Sequence, residues 1–144
     1  DANVGRIAVG VDGSACGNEA LMWAVDEAIR CEAELLLVHG WSYPYQGPRT
    51  GITEARDDMK LDAMRTLEAC ARTVREAAPS LRFHSIISED SPAKAIIDAA
   101  KEADLLVVGC RGHGGFAALL LGSVSRTVLQ HSSVPVVVVR HQAA

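Results

Sequence analysis

The residues best suited to chemistry lie late in the chain, where Gly109-Cys110-Arg111-Gly112-His113-Gly114-Gly115 is followed by Gly122-Ser123-Val124-Ser125. Nine residues separate Gly112 from Gly122. Glycine lets a backbone approach a ligand closely and take positive φ, while Ser123 and Ser125 bring hydroxyl and amide donors to a helix start. A helix N-terminus carries partial positive charge and unbonded N–H groups, so it binds phosphate without a lysine. The pattern is not a Walker A loop, because no Gly-Lys-Ser follows, and it is not GxGxxG. The same residues also have a purely mechanical use, in which the glycines make turns and Ser123 caps a helix.

Other residues near this loop offer paired readings. Asp12, before Gly13, is either a turn residue or a carboxylate that places a phosphate-bound Mg²⁺ or a nucleotide hydroxyl. Arg111 and His113 either neutralise phosphate charge or sit in solvent as ordinary loop residues. Trp41 and Tyr43 follow an aliphatic run; they stack on a base or, as we expect, cover an edge of the core. Trp23 serves packing or an interface. Cys110 adjoins the glycine loop, and an inert thiol is the expected state. Cys16, Cys31, Cys70 and Cys110 lack CxxC spacing and read as free thiols. With His39, His84, His113, His131 and His141 equally scattered, no zinc site is expected.

The elements that position these residues alternate strand and helix. Arg6–Asp12, Glu34–Trp41, Arg82–Ser88, Leu105–Gly109 and Val134–Arg140 are aliphatic runs that read as strands. Between them, helices are predicted from Ser14 to Cys31, from Thr53 to Pro79, from Ser91-Pro92 to Ala103, and from Val124 to His131, with apolar residues recurring every three or four positions. Residues 42–51, with two prolines and two glycines, form a loop. Such alternation implies right-handed crossovers and a doubly wound five-stranded parallel sheet with helices on both faces. In the order 3-2-1-4-5, strands one and four meet where the winding reverses, and Asp12 faces Gly109 across a crevice. Pro135 cannot donate to a ladder, which places the last strand at an edge and its valines in need of cover.

Composition agrees. In 144 residues, 49% are hydrophobic and 4% aromatic, so Val, Leu, Ile and Ala must supply the core, as suits a sheet buried on both faces. A net charge of −4 without a basic cluster argues against nucleic acid as a partner. No apolar run approaches the ~20 residues of a membrane span, and the first residues lack a signal-peptide pattern, so a cytoplasmic protein is expected.

The spacing G-x2-G-x9-G-[ST], met by Gly109, Gly112, Gly122 and Ser123, resembles the ATP-binding signature of the universal stress proteins. VGVDGS from Val9 to Ser14 and GSVSRTVLQHSSVPVVVVR from Gly122 to Arg140 extend the resemblance over essentially the whole chain apart from the loop after the second strand. It implies one domain over residues 1–144 with the adenine nucleotide alpha hydrolase-like fold, and dimers joined through the fifth strand, Val134–Arg140. It also implies roles: Val11 and Asp12 contact the nucleotide from the first strand, Gly40 contacts adenine through its backbone, and Val108 lies against the base or ribose. Gly109, Gly112, Gly122, Ser123, Val124 and Ser125 match the ribose and phosphate contacts. Gly40 departs from the family by removing a side chain that often packs beside the base, which suggests a wider pocket there.

The expected function is therefore an ATP-binding regulatory protein of the stress response, with ATP or ADP and Mg²⁺ at Asp12, acting as a conformational or dimerisation switch. A slow ATP hydrolase, a cyclic AMP-binding protein and a nucleotide-free interaction module are the alternatives. Hydrolysis needs a residue to orient water and positive charge over the transferring phosphate, for which the sequence offers no clear candidate.

Overall fold

The structure is a computed structural model that describes residues 5–42, 52–110 and 122–140. Among these residues five strands and four helices alternate: β1 Arg6–Gly10, α1 Ala15–Cys31, β2 Glu34–Trp41, α2 Ile52–Ala77, β3 Phe83–Glu89, α3 Pro92–Ala100, β4 Leu105–Gly109, α4 Ser123–His131 and β5 Val136–Val139. The strands form one parallel sheet in the order β3-β2-β1-β4-β5. The chain thus winds outward from β1 to β3, then returns to β4 on the other side of β1, as the alternation predicts.

Period-two alternation along the strands builds a core on each face. Ile7 and Val9 of β1, Leu35 and Leu37 of β2 and Val107 of β4 turn toward α1 and α2, where Leu21, Val25, Leu67 and Val74 meet them. Ala8, Leu36, Val38, Leu106 and Val108 turn the other way, onto Ile96 and Ala100 of α3 and Val128 of α4. Because β1, β2 and β4 are covered on both sides, they carry unbroken aliphatic runs. The register Ile7↔Leu105 to Val9↔Val107 brings the C-terminal ends of β1 and β4 side by side.

Most element boundaries match their sequence expectation within two residues, and the differences have local causes. β1 stops at Gly10: Val11 still donates to the Val38 carbonyl (2.9 Å), but Asp12 leaves the ladder to bond Ser14. β5 starts at Val136, not Val134, because the Val134 amide donates to Ser132 Oγ (3.1 Å) and Pro135 has no N–H. The Pro135 carbonyl still accepts from Leu106 (2.9 Å), and the strand lies at the sheet edge as the proline implies. α3 ends at Ala100, three residues early, where the Glu102 and Ala103 amides switch to i−3 carbonyls and tighten the chain into a turn. Among the described residues no helix is long and apolar enough to cross a membrane.

Candidate functional site: a cleft at the winding reversal

The two helix starts that flank the reversal differ in chemistry. At α1 the N-terminus is closed by its own sequence: Ser14 Oγ accepts from the Gly17 amide (3.0 Å), and Asp12 Oδ1 accepts from both the amide (2.9 Å) and hydroxyl (2.6 Å) of Ser14. At α4 the N-cap is Gly122, which has no side chain to accept anything. Among the described residues the amides of Ser123, Val124 and Ser125 have no partner. Ser125 does not supply one: its buried hydroxyl donates instead toward the carbonyls of Gly109 (2.5 Å) and Cys110 (3.0 Å). Together with the bond from the Gly122 amide to the Cys110 carbonyl (2.7 Å), this pins the start of α4 to the end of β4.

A cavity of about 330 Å³ lies between these helix starts, within the size range of small-molecule sites. Val11, Asp12, Gly40, Val108, Gly109, Gly122, Ser123, Val124 and Ser125, the residues singled out from sequence, all line it. Gly112, Arg111, His113 and Tyr43 lie outside the described residues. Asp12 is exposed, and among the described lining residues it is the one carboxylate. No described Lys or Arg lines the cavity, so the positive end of the α4 dipole is the main attraction for an anion there. Among the described residues no group of three or more His, Cys, Asp or Glu side chains could hold a metal by itself.

Two glycines are explained by close approach. A Cβ on Gly109 would fall 2.8 Å from the Cys16 carbonyl oxygen and 2.9 Å from its carbon, both backbone, so glycine lets α1 seat against the end of β4. A Cβ on Gly40 would fall 2.8 Å from Ala95 Cβ and 2.9 Å from Pro92 Cα. The start of α3 therefore fills the space of the missing side chain, and Gly40 does not widen the cavity in that direction, contrary to the expectation above.

Sequence reasoning weighed His39 only as a scattered zinc ligand, yet it also lines the cavity. Its Nδ1 lies 2.7 Å from the Val11 carbonyl, which can only accept, so Nδ1 carries the proton. The available signal was its place near the C-terminal end of β2, where ligands of open α/β sheets gather. Trp41, by contrast, covers the core: it is buried outside the cavity lining, and the Arg56 guanidinium sits 5.8 Å from its ring centroid. Arg56 also pairs with Glu89, and this guanidinium holds the Glu89 carboxyl below the usual carboxylate range.

The sequence profile of the universal stress protein family matches residues 3–140. The chain belongs to that family. A universal stress protein of Mycobacterium tuberculosis is 36% identical over 135 residues, covering 93% of this chain and 44% of that relative. This member thus spans less than half the length of that relative. Among solved structures, the universal stress protein UspA from Lactobacillus plantarum superposes with a TM-score of 0.80 at 25% identity, covering 97% of this chain and all of that one. A universal stress protein in complex with cAMP superposes at 0.69 and 26% identity, covering 97% of this chain and 99% of that one. The fold implied by the family resemblance is the fold observed.

Proposed function

We propose that the cleft binds an adenine nucleotide, ATP foremost, and that this universal stress protein uses the bound nucleotide as a conformational or dimerisation switch in the stress response. The observation that carries this reading is the start of α4, with no side-chain cap and three amides without partners among the described residues, on the wall of a ligand-sized cavity. In this reading the amides of Ser123, Val124 and Ser125 take phosphate, with Gly109, Gly112 and Gly122 allowing the backbone to close on phosphate and ribose. Val11 and Val108 flank the base or ribose, and the Gly40 backbone meets adenine.

Asp12 fits Mg²⁺ only in company. Its two bonds among the described residues both fall on Oδ1, so Oδ2 is the oxygen with capacity for a cation. One carboxylate holds Mg²⁺ when substrate phosphates and waters complete the shell. The ion, when bound, offsets the repulsion between Asp12 and the phosphates. β5, a half-buried edge strand of four valines, is the surface we assign to a homodimer.

A second reading, cyclic AMP as the ligand, is favoured by the solved relative in complex with cAMP. Calorimetry with ATP, ADP, AMP and cyclic AMP, each with and without Mg²⁺, tests both. Micromolar ATP binding strengthened by Mg²⁺ is expected; tighter binding of cyclic AMP selects the second reading, and no heat or competition with any of the four ends both. Single-turnover phosphate release then separates a binder, with none, from a slow hydrolase.

A further inference from the structure

Beneath the phosphate end of the cleft lies a pair of cysteines brought together from opposite ends of the chain. Cys16 Sγ and Cys110 Sγ are 3.3 Å apart, and the Cys110 amide donates to Cys16 Sγ (3.0 Å). Both residues are 2% exposed. Cys16 lines the cavity, whereas Cys110 is not among its lining residues. A solute in the cleft therefore reaches Cys16 first, with Cys110 directly behind it. Gly109 is the reason they meet, since its missing Cβ is what lets α1 approach.

We propose that Cys16 and Cys110 are a peroxide-oxidisable dithiol, with Cys16 the thiol attacked through the cleft and Cys110 the thiol that resolves it. Cys16 lies in the first turn of α1, where aligned peptide dipoles favour the negative charge that develops on a reacting sulfur. In the first step its sulfur attacks one oxygen of a hydroperoxide: an S–O bond forms, the O–O bond breaks, and the departing oxygen takes the thiol proton and leaves as water or alcohol. Cys16 is then a sulfenic acid, oxidised by two electrons. In the second step the Cys110 sulfur attacks Cys16 sulfur, the S–S bond forms, the S–O bond breaks, and the oxygen leaves as water with the Cys110 proton. The sulfurs must close by about 1.3 Å from their 3.3 Å contact to bond at roughly 2.0 Å.

The thiols of the other two cysteines are both raised. Burial pushes the Cys70 thiol up, with the Asp12 charge adding to the effect, and a hydrogen bond to the Glu27 carboxylate raises that of Cys31. The disulfide would act on the cleft because of what Cys110 holds. Its carbonyl accepts from the Gly122 amide and from Ser125 Oγ, so drawing Cys110 toward α1 moves the peptide that positions the α4 start.

The dithiol does not require the nucleotide reading, but its shielding by ligand does. The test treats the full chain with hydrogen peroxide, alkylates remaining thiols after denaturation, and maps peptides by mass spectrometry without reductant. A linked Cys16–Cys110 peptide, about 2 Da lighter than its reduced parts and reversed by dithiothreitol, is expected. Cys110→Ser should instead give a trappable sulfenic acid at Cys16. Two alkylated thiols at 16 and 110, or sulfinic acid in place of the linkage, would overturn the proposal.

With ATP at about ten times its calorimetric Kd, the linkage should form about tenfold more slowly. An unchanged rate in protein shown to bind ATP overturns attack through the cleft. Protein that forms the linkage and binds no nucleotide keeps the dithiol and discards the nucleotide reading.

Discussion

The starts of α1 and α4 stand on opposite walls of one cleft and are finished in opposite ways. Ser14 caps α1, and Asp12 in turn holds Ser14, so the first amides and hydroxyl there are committed to the chain. Ser91 caps α3 in the same manner, accepting from the Lys94 amide (3.3 Å). α4 has Gly122 at that position and three amides without partners among the described residues. A helix start closed by its own serine is architecture, whereas an open one beside a cavity is a place for an anion, because its free N–H groups and the helix dipole attract negative charge.

The strongest way to break the comparison is to give α4 the cap it lacks. Gly122 has φ −67° and ψ 166°, a conformation any residue adopts, so Gly122→Asp introduces a cap without backbone strain. Its carboxylate should occupy an amide and repel phosphate, weakening ATP binding about 100-fold, or about 2.7 kcal/mol. Stability by urea unfolding should stay level or rise by a few tenths of a kcal/mol. Equal losses of stability and affinity would mean that Gly122 is structural.

Gly109→Ala attacks the contact that brings the two walls together. Its Cβ meets Cys16 backbone that cannot yield cheaply, so a loss of about 1–3 kcal/mol in stability is expected, with weaker nucleotide binding following from the displaced wall. Ser14→Ala is the converse of the Gly122 variant: removing the α1 cap should cost about 1 kcal/mol of stability, with the smaller change in affinity.

The smallest effect belongs far from the cleft. Arg56 lowers the Glu89 carboxyl, so the pair stabilises the fold at neutral pH and its contribution fades as pH falls through that lowered value. Glu89→Gln should therefore lower the melting temperature slightly at pH 7, converge with the unaltered protein in acid, and leave nucleotide affinity alone.

The strands and their order were legible because aliphatic runs, turn glycines and strand–helix alternation are local signals, whereas Val11, Gly40 and Val108 of the cleft lining were named only through the family resemblance. The run Leu105–Gly109 and the pair Ser91-Pro92 each state their role within a few residues. Less legible were features set by what lies across the fold. Residues 101–103 continue the helical composition of α3, yet the i−3 bonds of the turn into β4 end it. His39 is assigned by a carbonyl just past the end of β1, and the filling of Gly40's vacant space by α3 depends on how that helix packs. Cys16 and Cys110 are 94 positions apart, and no spacing rule connects them.

The most direct test is to follow backbone amide resonances of the ¹⁵N-labelled protein while ATP with Mg²⁺ is added. The largest shifts should fall on Ser123, Val124 and Ser125, with the Gly17 amide, already held by Ser14, moving less. Saturable binding that leaves those three amides unmoved would contradict the claim that the open start of α4 holds the ligand.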